Sequence, residues 1–364
     1  MDTNDYIMWL SRSFNQNSNK VYYLLQEFKT PENVFKANRN ELLKLKGIKA
    51  EKVDILIKNR DLIDKWKTEL FKSGVTFISV FDKSYPKKLK NIHMPPVGIY
   101  VKGNKQIGND CVTVSIIGSR RCSEYGKRTA AKFARELSSL GICIISGMAA
   151  GIDSIANAAT LENGGFTAAV LGFGHNCCYP AENRSLMENI AKNGCLISEY
   201  PPDTEPEPYY FPKRNNIIAG LSDGVLVVEA SKKSGALITA DLACEYGRDV
   251  MAVPSNITSP NGVGTNNLIK QGCAMVTCTE DILLELGYKI INKKSKTGDS
   301  KSSENSKTTD NENKILALIG SEPVSFEYIA GSTGFAVGDL QSTLLMLELK
   351  NIIEKLPGDR FVRK

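Results

Sequence analysis

Histidine is nearly absent from this chain, with His93 and His175 the only two in 364 residues. The nine cysteines form no CxxC pair and keep no regular spacing. The usual zinc sites, which gather clustered Cys and His, are therefore excluded, and no metal or other cofactor is expected. Vicinal Cys177-Cys178 suits a structural disulfide poorly, and Cys143, Cys195 and Cys244 sit in apolar runs as buried thiols do. No apolar run approaches the roughly 18 residues that mark a membrane span. The opening MDTNDYIMWL carries acidic residues and lacks the apolar core of a signal peptide. These absences lead to the expectation of a reducing cytoplasm and no membrane partner.

Excess charge is also scarce. Lys and Arg number 46 against 40 Asp and Glu, a net +6, so a site for a polyanion must come from local clustering. A hydrophobic share of 42% is enough for a real core. The length predicts two or three domains.

Residues 1–75 read as helical: Tyr22-Tyr23-Leu24-Leu25, Leu42-Leu43-Lys44-Leu45 and Val53-Asp54-Ile55-Leu56 recur at helical spacing. Leu42 to Val53 has the outline of a helix-hairpin-helix whose second turn glycine is replaced by Lys49. That pattern admits either a DNA phosphate contact or a packing and oligomerisation bundle. Residues 76–288 comprise an extended connector, to about 105, and then a strong alternation. Apolar strands (Val112–Ile117, Gly141–Ser146, Thr167–Gly172, Cys195–Glu199, Gly224–Glu229, Asp249–Pro254, Ala274–Thr277) alternate with helices such as Gly126–Leu140, Asn183–Asn193 and Thr239–Tyr246. Near-continuous apolar strands separated by helices predict an α/β, Rossmann-like parallel sheet covered on both faces. Residues 289–311, poor in apolar side chains and rich in Ser, Lys, Thr and Asn, predict a flexible linker. Residues 312–364 predict three amphipathic helices and a hairpin turning at Pro357-Gly358-Asp359, a C-terminal winged helix.

The chemistry concentrates in a series of turns, most of them Gly-rich or basic, that follow these strands. Gly118-Ser119-Arg120, Gly147-Met148-Ala149-Ala150-Gly151 and Ser234-Gly235 to Thr239 each lie between a strand and a helix, where free backbone N–H groups and the helix dipole favour an anion. Phe211-Pro212-Lys213-Arg214-Asn215, read as a loop, adds an aromatic face and cations, the working chemistry of single-strand binding. Tyr179 suits base stacking or core filling equally, and Asp153 suits a helix cap at least as well as a ligand. GxGxxG is missing, and no acidic residue ends the second strand to hold a ribose, which disfavours a dinucleotide enzyme. Walker A and GxSxG sequences are missing too, and the serines have no histidine partner beyond His175. Asp153, Glu199 and Glu229 are carboxylates at strand ends, where capping acids are common. The pattern is that of a binding protein rather than an enzyme; the alternative is a phosphoribohydrolase-like enzyme acting on nucleotides.

Taken in order, Gly-Ser-Arg, Ser-Gly-Met-Ala-x-Gly-Ile-Asp, Tyr-Pro-x-x-Asn, Ser-Glu-Tyr-Pro-Pro, Phe-Pro-x-Arg-Asn-x-Ile-Ile-Ala-Gly, Ser-Gly-x-Leu-Ile-Thr-Ala and Gly-Arg-Asp-Val-x-Ala-Val-Pro resemble the bacterial DNA-processing protein A (DprA, also called Smf) family over about residues 76–285. The resemblance implies single-stranded DNA binding, a homodimer formed through the Rossmann-like domain, and loading of the recombinase RecA in natural transformation. By motif it implies phosphate contacts at Gly118, Ser119, Arg120, Gly147, Met148 and Gly151. The same groove would hold Asn183, Arg184, Phe211, Lys213, Arg214 and Asn215, with Ser234, Gly235 and Thr239 at a helix mouth. Ala150 and Asn216 stand where many members carry Arg, which implies weaker or more salt-sensitive binding.

Overall fold

The computed structural model describes residues 1–104, 111–288, 310–320, 322–349 and 352–363. Its sheet is built of β1 (Thr76–Ser79), β2 (Gly98–Gly103), β3 (Thr113–Gly118), β4 (Cys143–Ser146), β5 (Thr167–Leu171), β6 (Cys195–Ser198), β7 (Gly224–Glu229), β8 (Asp249–Ala252) and β9 (Ala274–Met275). The spatial order is β1-β2-β6-β5-β4-β3-β7-β8-β9. β3 to β9 are parallel, while β2 pairs antiparallel with β6 and β1 antiparallel with β2.

Alternation along each strand feeds two buried layers. Val114 and Ile116 of β3 pack with Phe133, Leu137 and Ile152 on one face, and Ile117 packs with Ile217, Ile218 and Ala240 on the other. Burial on both sides is why these strands read as apolar runs rather than as alternating ones. The chain leaves β3 toward β4 on one side and leaves β7 toward β8 on the other. The strand order therefore reverses between β3 and β7, the place where doubly wound sheets open a crevice for ligands.

The stretch expected to be a connector is instead part of the sheet: β1 and β2 lie within it, with a short helix, Lys87–Lys90, between them. The N-terminal helices have clear stop and start signals. Asp2 and Asn38 form capping boxes with Asp5 and Glu41, and Thr30 caps a helix opening on Pro31. Their core, including Trp9, Leu24, Leu42 and Leu56, continues into Phe77 of β1 and Tyr100 of β2. The helix-hairpin-helix outline corresponds to helices Arg39–Leu43 and Ala50–Lys58, joined through Gly47 at φ +77°.

Cys143 is not the buried thiol expected, because it is joined to Cys111 as a disulfide with Cα atoms 6.6 Å apart. Cys244 is exposed, whereas Cys195 is buried. The expected linker lies outside the described residues as far as 309. A second compact unit divides from the first near residue 291. Its helices are Asp310–Leu316, Phe326–Thr333 and Val337–Leu349, and its strands are β10 (Val324–Ser325), β11 (Ile353–Leu356) and β12 (Arg360–Arg363), paired antiparallel in the order β10-β12-β11. Ile315, Ile329, Leu340, Leu344 and Phe361 fill its core, completing a winged helix.

Phe133 is 2% exposed beneath the β3 face. Phe133→Ala is expected to cost about 3 to 5 kcal/mol in urea unfolding, as large-to-small core changes do. A loss below about 1 kcal/mol would contradict this packing.

Candidate nucleic-acid interface

A cavity of about 620 Å³ opens at the switch point. Its walls come from the turns after β3, β4 and β7 and from the helix Tyr210–Leu221, which the sequence reading had taken for a loop.

The first two turns are knitted together. Ile152 N–H donates to the Ser119 carbonyl at 3.3 Å. The buried Asp153 carboxylate accepts the N–H of Gly147 at 3.2 Å and takes further backbone N–H bonds from Gly118 and Ala149. Burial pushes its pKa up, against the pull of Arg214 and these N–H donors. A side chain at Gly118 would meet Ile152 and the Glu229 carbonyl, and one at Gly151, where φ is +84°, would strike the Ser119 carbonyl. These glycines are therefore required by chain packing. Asp153 thus serves as the tie between the turns.

Arg214 is 5% exposed. Its Nη1 donates to the carbonyls of Val170, at 2.6 Å, and Gly147, and its Nε donates to Asn215 Oδ1 at 3.1 Å. Desolvation lowers its pKa to about 10, with Asp153 opposing the fall, so the guanidinium stays charged at neutral pH. Arg120 is exposed and forms no ion pair among the described residues. Its guanidinium carbon lies 5.4 Å from the Phe211 ring centroid, and the Tyr179 ring centroid stands 5.5 Å from that of Phe211. Tyr179, left between two readings by the sequence, is 46% exposed and lines the cavity.

At the far wall, Ser234 caps the helix Gly235–Glu245, accepting Ala236 N–H at 3.3 Å. That helix begins four residues before the expected Thr239. Gly235 has open space where a Cβ would stand, so nothing in the chain crowds this helix mouth.

Gly118, Ser119, Arg120, Phe211, Arg214, Asn215, Ser234, Gly235 and Thr239 thus line one cavity, and Gly147 lines a smaller recess beside it. Five expected contacts lie elsewhere. Met148 is fully buried at φ +55°. Gly151 packs beneath the first turn, and Asn183 holds the second by donating to the Met148 carbonyl at 2.9 Å. Arg184 is exposed outside the lining, and Lys213 points to Glu199 and Gln16. Asn216 accepts a hydrogen bond from the Tyr246 hydroxyl at 2.7 Å, away from the lining. Arg121, which ends the first basic turn but was assigned no contact, and Asn261 line the cavity, the latter donating to the Arg121 carbonyl at 2.8 Å. Exposed Lys232 and Lys233 flank it beside Ser231 and Ser234. Adjacency to the named motifs was the only signal for them.

The family model described as DNA recombination-mediator protein A matches residues 76–287, which holds the whole cavity. The chain belongs to this DprA/Smf family. A DprA winged helix domain model matches residues 300–359. Protein Smf of Synechocystis is 34% identical over 94% of both chains. The DNA processing protein A structure from Streptococcus pneumoniae superposes with a TM-score of 0.67 at 34% identity, covering 78% of this chain and 97% of that one. One from Helicobacter pylori, solved in a study of its single-stranded DNA binding mode, gives a TM-score of 0.53 at 30% identity, covering 58% and 95%. The family places this chain among DNA recombination mediators, and its Rossmann-like sheet and winged helix are as the sequence led one to expect.

The loop carrying Tyr179 is anchored by buried His175, whose Nε2–H donates to the Leu196 carbonyl at 3.2 Å. Burial pulls its pKa down from 6.5 to about 4. The unfolded chain therefore takes up a proton below pH about 6.5 that the folded chain refuses until about 4, and stability falls as pH drops through that window. At about 1.4 kcal/mol per pH unit, this group removes roughly 2 kcal/mol between pH 7 and 5. Urea unfolding of His175→Gln is expected to show that much less acid sensitivity than the parent. Equal sensitivity would refute the assignment.

Proposed function

We propose that this chain binds single-stranded DNA in the switch-point cavity, protects it, and loads RecA onto it in transformation and recombination, as a homodimer in the cytoplasm and without turnover. The observation that carries this reading is Arg120, free of any carboxylate among the described residues and resting on Phe211, with Tyr179 against the same ring. An aromatic platform takes any base by its π-face, and guanidinium and helix-mouth N–H groups take phosphate without regard to sequence. The single-strand binding of the Helicobacter pylori relative supports the same ligand here. In the winged helix, Glu327, Asp339 and Glu348 are exposed on the second and third helices. That balance favours a protein contact over a duplex backbone.

The rival reading, nucleotide hydrolysis, needs a carboxylate free to act at the sheet edge. Glu229 accepts Ser123 N–H at 2.9 Å and the Ser123 hydroxyl, Glu199 pairs with Lys213, and Asp153 ties the turns. Incubation with nucleoside monophosphates is expected to release no free base, and release would favour the rival.

Affinity for single-stranded DNA is expected to fall steeply with salt, and to exceed that for duplex of equal length. Arg120→Ala should flatten the slope of log affinity against log salt by about one. An unchanged slope in a folded Arg120→Ala protein would overturn the reading that DNA occupies this cavity.

A further inference from the structure

Phe211, Arg214 and Asn215 stand at i, i+3 and i+4 on the helix Tyr210–Leu221 and share the cavity, while Lys213 between them does not line it. Its Nζ donates to the Gln16 carbonyl at 2.6 Å, lies 3.1 Å from Glu199 Oε1, and sits 5.7 Å from the Tyr200 ring centroid. Glu199 is buried just beyond β6, and Lys213 is the cation paired with it among the described residues. Gln16 is likewise buried and held: its N–H donates to the Ser11 carbonyl at 2.9 Å, in a turn where Asn15 and Gln16 both adopt left-handed backbone. One ammonium therefore joins the turn after the first N-terminal helix, the edge of β6 and the helix that carries Phe211 and Arg214. For Lys213 to reach a phosphate in the cavity it would have to leave both partners and strand a buried carboxylate, which is strongly unfavourable.

We propose that Lys213 is a positioning residue that couples the N-terminal helical bundle to the nucleic-acid cavity. This rests on the reading that single-stranded DNA occupies that cavity. Binding at Phe211 and Arg214 then bears on the bundle through Lys213, and the bundle's attachment sets the pose of that helix's first turn.

The test uses the full chain and a labelled oligothymidylate. The variants are Lys213→Arg, Lys213→Met and the double variant Lys213→Met/Glu199→Gln, which leaves no buried unpaired carboxylate. Both Met-containing variants should bind about tenfold more weakly at fixed salt, the size of an ordinary coupling within one network, with the salt slope unchanged. Lys213→Arg should stay close to the parent. Hydrogen exchange at Gln16 should slow when DNA binds the parent, and should no longer respond in the double variant. A slope lowered by about one in the double variant would make Lys213 a direct phosphate contact and overturn the proposal. Unchanged affinity, or a Gln16 response identical to the parent's, would overturn it as well. Arg120→Ala is the separate control: if the parent fails to bind, or that slope does not move, the cavity reading fails; if it flattens as expected while the Lys213 variants disagree, the coupling alone fails.

Discussion

The cavity depends on one buried arrangement, Asp153 facing Arg214 across two strand-end turns. Asp153 gathers backbone N–H groups from both turns, and Arg214 grips carbonyls after β4 and within β5. Each charge is costly to bury alone, and each satisfies backbone groups that helix or sheet pairing leaves open. The consequence is geometric: the turns after β3 and β4, and the helix bearing Phe211, are held in one rigid frame. Exposed Arg120 and the open helix mouth at Gly235 are mounted on that frame, so the groups free to meet a ligand are distinct from those that hold the site together.

That division explains what the sequence showed and what it concealed. Strand-to-helix turns were legible because Gly, Ser and small residues at the end of apolar runs have few other uses. Gly118, Gly147, Gly151 and Gly235 looked alike there, yet the first three are demanded by neighbouring atoms and Gly235 is not. The helix Tyr210–Leu221 was hidden because Pro212 suggests a break. In the first turn of a helix, however, the missing N–H has no partner to lose. Once the segment is helical, the i, i+3, i+4 rule separates Phe211, Arg214 and Asn215 from Lys213. The same rule applied to a loop has no force, which is why all were first assigned one role.

The sheet edge was missed for a related reason. β1 and β2 are separated by a stretch holding Tyr85-Pro86 and Pro95-Pro96 and are paired antiparallel, so they lack the strand–helix–strand rhythm of the rest. Phe77 of β1 and Tyr100 of β2 share a core with Trp9 and Leu24 of the helices, while Ile78, Ile99 and Val101 join the core of the main sheet. The N-terminal helices are thereby attached to the sheet through packing as well as through Lys213.

Charge placement completes the argument. A net +6 spread over the surface would attract nucleic acid only weakly and everywhere alike. Here exposed Arg120 and Arg121 line one cavity, exposed Lys232 and Lys233 lie in the chain between its lining residues Ser231 and Ser234, and the carboxylate in its lining among the described residues, Asp153, is engaged in backbone bonds. Asn216, where the resemblance led one to expect Arg, bonds Tyr246 on the helix flank and does not line the cavity. On the proposed reading, the missing cation costs the rim less than the sequence departure suggested, and Arg120 carries much of the phosphate attraction.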